Sequence, residues 1–116
     1  MDLTQKSDAE ILAVANPIMD NLMDASTAID YERHVLDFTD RAKSALPKAR
    51  LREVCEAYQS TKGFFSKREF VAIFRRTESV VVVWRQWFTR QPGEFVAEMV
   101  LVQSNGKHLV DHVMVF

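Results

Sequence analysis

The spacing of apolar positions changes once along this chain, at Gly63. Before it, Ile11, Leu12, Ala15, Ile18, Met19, Leu22 and Met23 recur every three or four residues. That spacing predicts one amphipathic helix running to about Ala25. Ser7 and Glu10 stand at its start as the hydroxyl and carboxylate of a capping box. Pro17 removes one internal N–H and predicts a kink early in its course. Asp30-Tyr31-Glu32-Arg33 reads as a second, short helix start with Tyr31, Val35 and Phe38 turned inward, and Thr39 is placed to cap a further turn. Pro47 suits the first turn of another helix, whose stripe is Leu51, Val54, Cys55 and Tyr58 and which Gly63 ends in the C′ position.

After Gly63 the pattern becomes extended. Residues 70–74, 80–88, 95–102 and 109–116 are rich in Val, Phe and Trp, and turn signals separate them: Thr77-Glu78-Ser79, Pro92-Gly93 and Asn105-Gly106. Asn-Gly favours a two-residue type I′ hairpin, and Pro-Gly a tight turn. Helices first and strands afterwards mean an α+β fold: about three N-terminal helices, then a four-stranded antiparallel meander, in a single domain spanning 1–116.

Counting outward from two-residue loops at Pro92-Gly93 and Asn105-Gly106 gives a register. Trp84 then faces Leu101 and Val110, Phe88 faces Ala97 and Met114, and Gln86 falls beside Met99 and His112. This bulkier face is expected under the helices. With Tyr58 it makes a candidate ligand-binding set of Trp84, Gln86, Met99, His112 and Tyr58: large apolar groups with a few polar ones, the composition of a small-molecule pocket. A filled core with satisfied polar residues at its open end has the same composition. The opposite face carries Val83, Arg85, Trp87, Glu98, Val100, Asp111 and Val113. The helices suffice to cover only one face, and a second apolar face exceeds what a monomer normally leaves in water. A homodimer through that face is therefore expected, with Arg85, Glu98 and Asp111 pairing within or across it.

Composition adds limits. The chain has 116 residues, 47% of them hydrophobic and 27% charged, the balance of a folded globular protein. The formal net charge of −1 gives no reason to expect nucleic acid. The charge is unevenly spread, with nine acidic and two basic residues in 1–40 but seven acidic and thirteen basic in 41–116. That asymmetry marks either an interaction surface or solvated helix faces that differ in sign. No stretch approaches the roughly 18 apolar residues of a membrane span, the N-terminus has no apolar leader core, and the one cysteine, Cys55, forms no internal disulfide. A cytoplasmic location is the default expectation. Cys55 lies on an apolar helix stripe, where a buried inert thiol is expected.

The candidate chemistry is sparse. His108 and His112 share a strand face but stand about 13 Å apart by strand rise, too far for one metal. His34 has no Glu or His at ligand spacing. HExxH, CxxC, G-x-S-x-G and glycine-rich phosphate loops are absent, so neither metal nor cofactor is predicted.

The run Ala15-Asn16-Pro17-Ile18-Met19-Asp20-Asn21-Leu22-Met23, followed by Asp30-Tyr31 and Asp37-Phe38, resembles the N-terminal helices of bacterial and archaeal domains of the nuclear-transport-factor-2-like superfamily. Gly63-Phe64-Phe65-Ser66 is similar to that family's helix-to-sheet junction, and Val80-Val81-Val82-Val83-Trp84-Arg85-Gln86-Trp87-Phe88 to its long following strand. The resemblance spans about Asp8 to Val115. It implies a cystatin-like cone, with a curved sheet wrapped round the helices, a conical cavity and frequent dimerisation through the sheet. Its functions range from ketosteroid isomerase-like, dehydratase-like and polyketide cyclase enzymes to binding proteins. Enzymatic members usually place an Asp or a His, often a His–Asp pair, inside the cone. Asp111 and His112 are adjacent on a strand and so point to opposite faces, leaving His112 as the only catalytic candidate. The expected function is a non-catalytic small-ligand-binding or interaction module acting as a homodimer. The alternative is an acid–base isomerase, dehydratase or cyclase on a small apolar molecule, with His112 as base and Gln86, Tyr31 or Tyr58 orienting the substrate.

Overall fold

The computed structural model describes residues 2–116. A 3₁₀ turn, Leu3–Gln5, leads into α1 (Asp8–Ala28), α2 (Tyr31–His34), α3 (Asp40–Ser44) and α4 (Lys48–Thr61). Four strands follow: β1 (Phe65–Arg75), β2 (Ser79–Phe88), β3 (Phe95–Ser104) and β4 (Lys107–Val115). They form one curved, open antiparallel sheet in the order β1-β2-β3-β4, so the α+β class and the meander hold.

The helix starts follow from their caps. Ser7 Oγ accepts from the Glu10 N–H at 3.1 Å, and Glu10 accepts from the Ser7 N–H at 2.9 Å. Asp30 caps α2 through the Arg33 N–H, and Thr39 caps α3 through the Ala42 N–H, which makes four helices where about three were expected. α1 continues past Ala25 and stops at Ile29, whose φ of 52° is left-handed without a glycine to announce it. It runs through Pro17, which stands on the exposed side.

The apolar stripe of α1 packs on the sheet. Ile11, Ala15, Met19 and Leu22 meet Val80, Val82, Trp84, Ala97, Met99 and Leu101 in one buried cluster. Each large side chain in it contributes roughly 1.5–3 kcal/mol of burial. Two ion pairs stitch acidic α1 to basic β1: Asp8 to Arg75 at 2.8 Å and Asp20 to Arg68 at 2.7 Å. The charge asymmetry along the chain is thus partly consumed within the fold.

The register departs from the count in two places. Trp84 pairs with Ala97, not Leu101, and Gln86 with Phe95, not Met99, a slip of four residues. The loop after β2 is longer than two residues because the junction between α4 and β1 captures the chain there. The Thr89 N–H donates to the Phe64 carbonyl at 2.9 Å, the Phe64 N–H donates to Thr89 Oγ1, and the Arg90 N–H donates to the Lys62 carbonyl at 3.1 Å. Four is even, so the buried face of β2 and β3 is the one expected. In the other hairpin the Asn105-Gly106 turn has two residues, both at positive φ, and Leu101 pairs with Val110 as counted. Beyond Val110 a β-bulge intervenes: Val100 pairs with His112 and Met99 with Val113. One extra residue reverses the facing of everything after it. Val113 and Val115 turn toward the core, while Met114 is 50% exposed. Phe88 therefore does not face Met114, and Val113 leaves the outer face where the count had put it.

Candidate functional site

Between the helices and the end of the sheet where β2 stops and β3 begins lies a cavity of about 590 Å³. Met19, Leu22 and Met23 of α1 and Leu51 and Val54 of α4 form its helical wall; Phe65, Phe88, Phe95, Val113 and Val115 form its sheet wall. Phe65, Phe88 and Tyr58 pack ring to ring, with centroids 5.0–6.0 Å apart. The volume and the apolar lining suit one small molecule.

The polar groups on this wall are few and placed. The Tyr58 hydroxyl lies 2.8 Å from Ser26 Oγ, which lies 3.2 Å from Cys55 Sγ, while Gln59 Nε2 donates to Tyr58 Oη at 3.4 Å. Burial raises the Cys55 thiol and the Tyr58 phenol above their ordinary pKa values, so both hold their protons at neutral pH. His34 is also on the wall, nine-tenths buried, and its Nδ1 has no hydrogen-bond partner. Burial pushes its pKa down to about 4, so the ring is neutral. Three cations line the cavity, Arg41, Arg50 and Lys62, against one acid, Asp111. Arg41 pairs with Asp111 and Thr39 Oγ1 donates to it at 2.8 Å. The Arg41 hydrogen bond, with that of Thr39, holds the Asp111 carboxyl below its ordinary pKa. Arg50 is paired with Glu53, and Lys62 rests over the Phe95 ring at 5.8 Å.

The residues singled out in the sequence separate into three places. Trp84, Gln86 and Met99 are packed in the core at 2%, 0% and 0% exposure and do not line the cavity. Trp84 donates from Nε1 to Asn16, and Gln86 spends its amide N–H groups on the Ser66, Lys67 and Trp87 carbonyls. Tyr58 is on the wall. Tyr31 donates to the Leu46 carbonyl at 2.9 Å and is not among the residues lining the cavity. His112 is among the residues lining the cavity, but the bulge sets it beside Val100, and its Nε2 lies 2.8 Å from Glu98 Oε2. The expectation that His112 points into the cone fails because the bulge is invisible to a two-residue repeat.

On the outer face, Val83, Arg85, Trp87, Glu98 and Val100 stand together as counted. Arg85 pairs with Glu94 at 2.9 Å and approaches Glu69, and Lys67 rests on the Trp87 ring at 5.2 Å. Asp111 is held at the sheet edge by α3, and Val113 belongs to the inner face. Lys62 and Ser26 were not singled out from the sequence, where His34 entered only as a rejected metal ligand. Lys62 had a signal, since it continues the Leu51, Cys55 and Tyr58 stripe by one turn. Among the described residues no cluster of His, Cys, Asp and Glu is arranged to hold a metal, and no helix is long and apolar enough to cross a membrane.

No family model and no curated protein matches the sequence. Solved structures do match the fold. A protein named as a candidate calcium/calmodulin-dependent protein kinase type II association domain, from Thiobacillus denitrificans, aligns over 87% of this chain and 92% of its own at 10% identity and a TM-score of 0.62. A SEC-C motif-containing protein from Rhodopseudomonas palustris covers 86% of this chain and 77% of its own at 12% identity and a TM-score of 0.61. A DUF4783 family protein from Bacteroides uniformis covers 83% and 93% at 11% identity and a TM-score of 0.51. At these identities the likeness is one of fold: this chain shares with them helices followed by an antiparallel sheet.

Proposed function

We propose that this chain is a nuclear-transport-factor-2-like domain that works as a non-catalytic small-ligand-binding module and as a homodimer, in the cytoplasm. The observation that carries the binding reading is the cavity of about 590 Å³, apolar over most of its wall, with the polar groups of Tyr58 and Lys62 on it. The sequence resemblance and the fold likeness to an association domain support the family reading. The dimer reading rests on the outer face, where Val81, Val83, Trp87, Val96, Val100 and Met114 are not covered by any helix. The enzyme reading has less support, because its base, His112, is paired with Glu98 on that outer face.

A thermal-shift panel of small apolar molecules tests the binding. At least one is expected to raise Tm, and Leu22→Trp, which fills the cavity, abolishes the shift. A panel that leaves Tm unmoved overturns the reading. Sedimentation velocity at micromolar concentration tests the dimer. Wild type is expected to sediment as a dimer and Val100→Asp as a monomer; a monomeric wild type overturns it. Val113→Asp is not an equivalent probe, since Val113 faces inward.

A further inference from the structure

Three hydroxyl and thiol groups stand in a row along the cavity wall. Tyr58, Ser26 and Cys55 each carry one X–H hydrogen, and two contacts join the three groups. Those two short contacts use at most two of the three hydrogens. Ser26 and Cys55 are buried at 7% and 1%, whereas Tyr58 is half-buried and faces the cavity. An acceptor placed against Tyr58 therefore selects the order Cys55 to Ser26 to Tyr58 to ligand, with every hydrogen used. One helical turn farther along α4, on the same face, is Lys62. It makes no ion pair among the described residues, and its ammonium rests only on the Phe95 ring.

We infer that the cavity takes an apolar monocarboxylate, its carboxylate held by the Tyr58 hydroxyl and the Lys62 ammonium and its hydrocarbon body between α1 and the Phe65, Phe88 and Val115 wall. This rests on the ligand-binding reading above and names the chemical class of the ligand. Charge favours it: Arg41 is paired with Asp111 and Arg50 with Glu53, which leaves Lys62 as the lining cation without an ion pair among the described residues. The C-terminal end of α4 would normally repel an anion. Here the Arg90 guanidinium covers the Gln59 and Ser60 carbonyls, and the Arg90 N–H takes the Lys62 carbonyl, so that repulsion is offset. A carboxylate is ionised at neutral pH while Tyr58 keeps its proton, so donor and acceptor are matched.

Isothermal titration of the full chain with octanoate, octan-1-ol and methyl octanoate, each below its aggregation limit, tests this. Octanoate is expected to bind about tenfold or more tightly than either neutral analogue. Lys62→Met, which keeps the stem and removes the charge, is expected to erase most of that advantage while leaving octan-1-ol affinity within about twofold. Tyr58→Phe keeps the ring packing and is expected to weaken octanoate by several-fold. The wild-type comparison needs no variant to fold. Octan-1-ol binding as tightly as octanoate, or a Lys62→Met effect equal on both, overturns the carboxylate inference and leaves the cavity reading intact. Binding by none of the three overturns both.

Discussion

His34 is a neutral imidazole kept without a proton by its surroundings. Its pKa is pushed down from 6.5 to about 4 by burial, so the unfolded chain binds a proton between those values and the folded chain does not. Stability is full above about pH 6.5 and falls as pH drops toward 4, by about 3 kcal/mol in total. Urea unfolding at pH 7 and pH 4.5 should show that loss in wild type and a clearly smaller one in His34→Leu. Gly63 makes a second residue-scale case. Its φ is +84°, and a Cβ there would stand 2.3 Å from Thr89 Oγ1 and 3.2 Å from the Arg90 nitrogen. Gly63→Ala should therefore cost about 2 kcal/mol or more, read as a lower denaturation midpoint, because it strains the backbone and breaks the clasp that opens the loop after β2.

At the scale of elements, what the sequence disclosed was what is decided locally. The Ser7 and Glu10 capping box, the Thr39 cap and the Asn105-Gly106 turn were all readable because each is settled within four residues. The register between β2 and β3 was not, since it depends on Thr89 and Arg90 meeting Phe64 and Lys62 more than twenty residues away. The bulge is set at long range too. The segment before α3 pairs with β4, the Thr39 N–H donating to the Val110 carbonyl and the Val110 N–H to the Asp37 carbonyl, while Thr39 and Arg41 hold Asp111. The candidate site suffered most, because a counted register placed it under Trp84, Gln86 and Met99 when it opens among Tyr58, Phe88 and Val115. α3 buries none of its own residues, so its seat depends largely on that contact with β4. Arg41→Ala should speed amide exchange through 37–46 several-fold while leaving the global denaturation midpoint nearly unchanged.

Across the whole molecule, the two faces of the sheet differ in what they ask of a side chain. Met99→Ala on the inner face empties a fully buried position and should cost about 2–5 kcal/mol. Val81→Thr, opposite in facing, should cost under about 1 kcal/mol in the isolated chain. In a chain that pairs through the outer face, the Val81→Thr cost should rise with protein concentration, which urea unfolding at two concentrations reads directly. The bulge in β4 carries a consequence for descent as well. Because Asp111 is the extra residue, a relative one residue shorter there would have to carry its apolar side chains one place earlier to keep the same core. Loss of Asp111 does this by itself, since His112 stays opposite Val100 and Val113 opposite Met99, so the bulge residue can be lost with no exchange of polar and apolar positions behind it. A residue gained or lost beyond the bulge would instead turn the end of the strand inside out.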